Sequence, residues 1–235
     1  MKKRLGALIA GVFAAVSLST AHAAVLELEY VGEFSGAANP SGSPPWLRAK
    51  FEDTGANTVQ LTLTSLLNSS SEFVSGFYFN MDPLPLALVI NYVTPPISTG
   101  PNITSYSTGL NAFKADGDGF FDLLMEFATS SGSGRFDGSD VSIFSLQAAG
   151  LSVASFNSIS VNGPVGKNGF LSAAHVQGIA PTQCNDPAEG NACTSGWVYA
   201  QVRRPPQEIP EPSALLLSGV ALVGLAALRR RRRQG

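Results

Sequence analysis

Charged side chains are scarce in this sequence, and histidine and cysteine are almost absent. Lys, Arg, Asp and Glu together make up 14% of the 235 residues, and there are two histidines and two cysteines. Two sulfurs alone do not make a structural zinc site, which takes four nitrogen or sulfur ligands. A Ser-His-Asp triad would have to use His175, because the other histidine lies in the leader described below.

Basic residues are also few in the middle of the chain. Of the 15 Lys and Arg, three lie at positions 2–4 and five at 229–233, while all 17 Asp and Glu lie between these clusters. The middle segment therefore carries a net charge of about −10. Nucleic-acid binding requires a basic face that displaces counterions, so we expect no nucleic-acid partner.

The first 23 residues have the pattern of a signal peptide. Basic residues at 2–4 precede an apolar run over 5–18, and Ala21 and Ala23 supply the small residues of a signal-peptidase site. We expect export by the general machinery and a mature chain that begins at Ala24.

Residues 213–228 form a run of sixteen residues without charge, followed by Arg229 to Arg233. As a helix this run would span roughly 24 Å, which is short for a bilayer core of about 30 Å. Arg side chains can reach the interface and cover the deficit. The sequence predicts a single transmembrane helix over 213–228 and a cytoplasmic tail over 229–235.

The stretch 203–212 holds four prolines and precedes the apolar run. Proline restricts the backbone and removes its donor, so this stretch reads as an extended, semi-rigid stalk. Pro210-Glu211-Pro212, the apolar run and the arginines together resemble the PEP-CTERM sorting signal of bacterial proteins handled by exosortases. The resemblance implies recognition of Pro210, Glu211 and Pro212 by that enzyme and cleavage nearby. It also implies residence at the envelope or in the extracellular matrix, where many such proteins accompany exopolysaccharide. The alternative is a plain linker to an ordinary membrane tail.

The segment 24–202 alternates apolar and polar residues, which is typical of half-buried strands. Turn-forming pairs such as Asp137-Gly138 separate the alternating runs. We predict an all-β fold, a single antiparallel β-sandwich of jelly-roll type. Its predicted strands cover residues 25–34, 57–66, 73–80, 86–92, 120–127, 141–147, 151–156, 170–176 and 197–202.

Three further sets of residues are candidates for bonds or sites. Cys184 and Cys193 are predicted to form a disulfide, because exported segments meet an oxidising environment; closing this loop would contribute about 2 to 3 kcal/mol. Aspartate oxygens suit Ca²⁺, so an irregular calcium site is the candidate cofactor site, and turn formation is the simpler reading. Exposed indole rings could stack on sugar, whereas buried ones would be core. The calcium candidates are Asp116, Asp118 and Asp122, and the sugar-stacking candidates are Trp46 and Trp197.

The expected function is that of an exported cell-surface or extracellular-matrix protein without catalytic activity. We expect an inner-membrane-anchored intermediate, processing by an exosortase-type enzyme, and a structural or exopolysaccharide-associated role. Two alternatives stay open: a secreted carbohydrate-active enzyme that uses Asp or Glu, and a calcium-dependent adhesion module.

Overall fold

The computed structural model describes residues 23–116, 119–162, 169–185 and 193–203, and these ranges form an all-β domain. Within them the helical elements are two short 3-10 turns, Val153–Phe156 and Pro181–Gln183. No helix in the same ranges is long and apolar enough to cross a membrane, and the predicted anchor over 213–228 lies outside them. The strands are β1 Val25–Glu33, β2 Leu47–Gly55, β3 Thr58–Ser65, β4 Phe73–Phe79, β5 Val89–Tyr92, β6 Ser105–Lys114, β7 Phe120–Glu126, β8 Phe136–Asp137, β9 Val141–Gln147, β10 Ser172–Gln177 and β11 Ser195–Val202.

The strands pair into one continuous antiparallel sheet, which corrects the predicted two-sheet sandwich. The order across the sheet is β5-β9-β3-β2-β1-β11-β10-β4-β7-β6, with β8 paired to β4. β1 pairs with β11 from Leu28 opposite Val202 to Glu33 opposite Val198. This pair joins the two groups of strands, so no gap in hydrogen bonding separates them. Period-two alternation shows which side chains are buried, but not which strands pair at a sheet boundary.

The sheet curls so that its inner face encloses the main hydrophobic core. The rings of Phe144 on β9 and Phe127 after β7 lie 6.5 Å apart, although their strands are far apart in the sheet. At the two edges, the Tyr106 hydroxyl of β6 donates to the carbonyl of Leu88 beside β5 at 3.1 Å. Burying this inner face is the main favourable contribution to folding.

Two observed strands and one predicted strand differ between sequence and structure. β2 was not predicted, although its buried residues alternate with the charged Arg48, Lys50 and Glu52. β6 was not predicted because it is an exposed edge strand without an apolar face. The predicted strand over 151–156 is wrong: the chain turns there as the 3-10 helix Val153–Phe156, which packs Phe156 on Phe51 at 4.2 Å.

A second, smaller aromatic cluster lies on the outer face of the sheet. Its buried rings are Phe34, Phe121 and Phe170, and Tyr78, Trp197 and Tyr199 pack against them partly exposed. Strand β10 therefore buries side chains on both faces. The outward rings of β11 and the outward threonines of β3 are partly buried. This outer cluster supports the polar groove described below.

Glu72 fixes the loop before β2 to the start of β4. Its side chain is fully buried, and its Oε1 accepts hydrogen bonds from the backbone N–H and the hydroxyl of Ser41, at 2.8 and 2.7 Å. The other oxygen, Oε2, is buried without a hydrogen-bond partner among the described residues. Because Oε2 has no partner, the two hydrogen bonds from Ser41 are what offset the cost of burying this carboxylate.

Replacing Glu72 with alanine is expected to lower the free energy of unfolding by about 2 kcal/mol, because the amide and hydroxyl of Ser41 lose their acceptor. Urea denaturation of the full chain in non-ionic detergent measures this. The matched control is Glu52→Ala, which removes a solvent-exposed ion pair to Lys50 and should cost less than about 0.5 kcal/mol. Equal losses in the two variants would show that Glu72 does not hold the loop.

Candidate functional site

The last described residue, Arg203, is tied down where the chain leaves the sheet. Its backbone N–H donates to the carbonyl of Glu27 at 2.8 Å, and its guanidinium Nη1 lies 2.8 Å from the Glu27 carboxylate. Glu29 lies 3.5 Å from Arg203 Nε and 3.0 Å from Arg48 Nε. Exposed ion pairs are individually weak, but here they join a backbone hydrogen bond at the same point. These contacts together hold Arg203 against β1.

The start of β1 and the end of β11 lie at the same end of this strand pair. β1 and β11 are antiparallel, so the start of β1 lies beside the end of β11. Ala23 and Ala24 are exposed just before β1, and the carbonyl of Ala24 accepts a hydrogen bond from the Asp53 amide at 3.0 Å. Ala21 lies outside the described residues. The part of the predicted signal-peptidase site that is described is accessible.

The predicted sorting residues Pro210, Glu211 and Pro212 lie outside the described ranges, as do the rest of the stalk after Arg203 and the arginine tail. Covalent geometry still limits their reach. Pro210 is seven residues along the chain from Arg203, and a fully extended chain advances at most about 3.6 Å per residue. An enzyme that acts at this tripeptide must therefore work within roughly 25 Å of Arg203.

The predicted disulfide is confirmed. Cys184 and Cys193 are bonded, with their Cα atoms 5.6 Å apart. Cys184 also forms an isolated β-bridge with Ala38, and Asn185 donates its backbone N–H to the Ala37 carbonyl at 2.8 Å. The β-bridge and this hydrogen bond hold Cys184 and Asn185 beside the segment that follows β1.

Of the predicted calcium site, the structure describes Asp116 and Asp122 but not Asp118. Asp122 is buried, and its two oxygens accept the backbone N–H groups of Asn111 and Met81 at 2.7 and 3.0 Å. Asp116 lies in a turn with a positive φ, and Asp118 lies outside the described residues. Within the described ranges no three acidic, histidine or cysteine side chains are grouped for a metal. The site stays a prediction, and in the structure Asp122 connects β6 to the segment that follows β4.

The two tryptophans predicted to stack on sugar lie in different environments. Trp46 is 5% exposed in the main core, and its indole N–H donates to the Gly42 carbonyl at 3.3 Å. Trp197 is half-buried on the outer face and stacks on the His175 ring, with centroids 4.5 Å apart and planes 14° apart. Trp197 therefore lies beside the groove described next, because its partner His175 lines that groove.

A polar groove lies beside this ring stack, in a row of residues directly opposite one another on neighbouring strands. The row runs from Trp197 to His175, Gly76, Glu126 and Ser105, on strands β11, β10, β4, β7 and β6. Glycine at its centre leaves a gap between His175 and Glu126. We call the resulting hollow, of about 420 Å³, the outer groove; its principal lining residues are Ser75, Gly76, Tyr78, Glu126, His175 and Gln177.

Hydrogen bonds and burial hold the His175 ring in the outer groove. Its Nδ1 lies 3.0 Å from the Ser75 hydroxyl and 3.4 Å from the Gln177 amide nitrogen. Burial lowers the pKa of His175 below its usual 6.5, which favours the neutral ring, with one nitrogen a donor and the other an acceptor. Burial also raises the pKa of Tyr78, as does the negative charge of nearby Glu126.

The sequence pointed to His175 and Trp197, but not to Ser75, Gly76, Glu126 or Gln177. These residues come from strands that are distant in sequence, and their proximity depends on the pairing of β10 with β4 and of β4 with β7. No local pattern in the sequence signals that pairing.

Comparison with known proteins identifies the tail. Residues 208–232 match the family model of the PEP-CTERM protein-sorting motif. The chain thus carries the sorting signal of an exported protein that is held in the membrane and then passed to the cell surface, with an exosortase-type enzyme as its processing partner. No curated protein and no solved structure matches the chain.

The state of His175 predicts a pH dependence of stability. Because the folded pKa lies below the unfolded value near 6.5, the unfolded chain binds more protons as the pH falls through that region, and stability decreases. We expect the urea midpoint of the wild type to fall between pH 7 and pH 5. In His175→Gln, which keeps a polar partner for Ser75, the fall should be smaller. The same fall in both proteins would contradict this assignment.

Proposed function

We propose that this protein is a non-enzymatic component of the bacterial cell surface or extracellular matrix, delivered by exosortase-type processing and associated with exopolysaccharide. The observation that carries the proposal is the sorting motif at residues 208–232, which begins five residues after Arg203, a residue held against β1. In this view, residues 24–203 are the delivered cargo and the tail is the means of delivery.

The architecture supports delivery of a completed domain. β11 lies between β1 and β10, so the strand next to the tail is central in the sheet. A central strand is hydrogen-bonded on both sides, and removing it would expose backbone groups of both neighbours. Once β11 has paired, cleavage beyond Arg203 leaves the described fold untouched. This is what a surface protein released from its anchor requires.

The use of polar groups in the domain favours a non-catalytic role. In the outer groove the Ser75 hydroxyl lies 3.0 Å from His175 Nδ1 and 3.4 Å from the His175 carbonyl, an arrangement that fixes the ring. A glycosidase of the common kind uses two carboxyl groups that flank the scissile bond. Among the described residues that line this groove, Glu126 is the one carboxylate.

Processing is tested by replacing Glu211 in the host and following the protein by immunoblot of membrane, surface and medium fractions. We expect Glu211→Ala to leave the protein in the inner-membrane fraction, because the central residue of the recognised tripeptide is lost. The matched control is Glu208→Ala, which removes the same charge three residues upstream and should be sorted like the wild type.

Normal sorting of Glu211→Ala would contradict the proposed route. Equal retention of Glu211→Ala and Glu208→Ala would mean that the stalk's charge, rather than the tripeptide, is what the enzyme reads. Wild-type protein confined to the inner membrane would overturn the assignment of a surface location.

A further inference from the structure

We propose that the outer groove binds a segment of an uncharged, hydroxyl-rich polysaccharide. The inference rests on the proposed association with exopolysaccharide, and it adds the binding site and the chemical class of the polymer. It is carried by the shape of the groove, the arrangement of its polar groups and its supporting aromatic rings.

The shape of the outer groove depends on Gly76. His175 and Glu126 lie on either side of this residue in the cross-strand row, so a side chain here would fill the space between them. A Cβ atom at Gly76 would already lie 3.3 Å from Leu124 Cδ1 and 3.4 Å from Tyr78 Cε2. A volume of about 420 Å³ lies within the range of small-ligand sites. The groove lies on the open outer face, where a long polymer can pass through it.

Donors and acceptors face one another across the groove. On the β10 side the neutral His175 ring carries one donor nitrogen and one acceptor nitrogen, and the Gln177 amide adds a nitrogen that donates and an oxygen that accepts. On the β7 side the exposed carboxylate of Glu126 accepts; its Oε2 already takes a bond from the Ser105 hydroxyl at 2.6 Å. Sugar hydroxyls donate and accept at once, so they suit a site with both kinds of group on opposite walls.

Aromatic packing keeps the β10 wall rigid. His175 stacks on Trp197, and the Tyr78 ring meets Trp197 edge-on with centroids 5.1 Å apart. Rigid rings lose little conformational entropy on binding and offer apolar faces to the C–H groups of a sugar. Trp197 supports this wall through its stack with His175, which modifies the simpler expectation that its own face is the sugar platform.

The negative charge of the protein favours an uncharged polymer over a polyanion. The chain between the two basic clusters carries a net charge of about −10, and the charged group that lines the outer groove is Glu126. A polyanion such as an uronic-acid polymer would meet repulsion both from the whole domain and from this carboxylate. An uncharged polymer avoids both costs.

The test is isothermal titration calorimetry of the full chain in a polyoxyethylene detergent, which has no sugar headgroup. The probes are cellohexaose, maltohexaose and laminarihexaose, with hexagalacturonate as the charged comparison. We expect at least one neutral hexasaccharide to bind more tightly than hexagalacturonate. Its Kd should rise about tenfold or more in Glu126→Ala/Gln177→Ala, which removes hydrogen-bonding groups from both walls.

The matched control is Glu52→Ala/Gln60→Ala. These two residues are paired on β2 and β3, on the other half of the sheet, and the double variant has the same change in composition and charge. Its Kd should stay within about twofold of the wild type. Urea midpoints verify that both variants fold, and Gln177→Ala alone replaces the groove variant if that one does not.

Three results would overturn the inference: no binding of any neutral hexasaccharide, equal loss in the groove variant and the control, or tighter binding of hexagalacturonate. None of these results affects the sorting of Glu211→Ala, so failure of the groove is distinguishable from failure of the proposed route. If the groove variant still binds a neutral hexasaccharide as tightly as the wild type, the association with polysaccharide would stand, but the outer groove would not be its site.

Discussion

The pairing of the first strand with the last is the constraint on which the rest of this structure depends. β1 and β11 lie side by side at the centre of the sheet, with β2, β3, β9 and β5 on one flank and β10, β4, β7 and β6 on the other. Without that pair no strand of one flank would be hydrogen-bonded through its backbone to a strand of the other, and each flank would present an unpaired edge. The inner core is lined from both flanks, as the contact between Phe51 on β2 and Phe79 on β4 shows. Fold completion therefore requires residues from both ends of the exported segment.

This constraint connects the fold to the sorting signal. In an exported chain the tail is the last part to be delivered, and β11 ends six residues before the motif begins at 208. The Arg203 bonds to Glu27 place the exit point beside the start of β1. A signal placed just after a central strand is presented next to a finished domain. The proposed cleavage beyond Arg203 then separates anchor from cargo without a conformational change in the described fold.

Much of this account was predictable from sequence, and the rest was not for identifiable reasons. The tail, the disulfide, the all-β class and most strands follow from local patterns such as the alternation in Thr58–Ser65. β6 was missed because an exposed edge strand has no apolar face, and the continuous sheet because pairing between the ends leaves no local signal. The outer groove needed the topology, since Gly76, Glu126 and His175 come from three strands. From the sequence alone, Gly76 indicates only a weakened strand. Its effect on the groove depends on its neighbours across the sheet, His175 and Glu126.

The most direct test of the central claim is the intact mass of the wild-type protein recovered from the surface of its own host. The account predicts a form that begins at Ala24, retains the Cys184–Cys193 bond and ends near Pro212, without the apolar run or the arginines. A surface form that still contains Arg229 to Arg233 would contradict the account, because the tail would then be a permanent anchor rather than a signal that is read and removed.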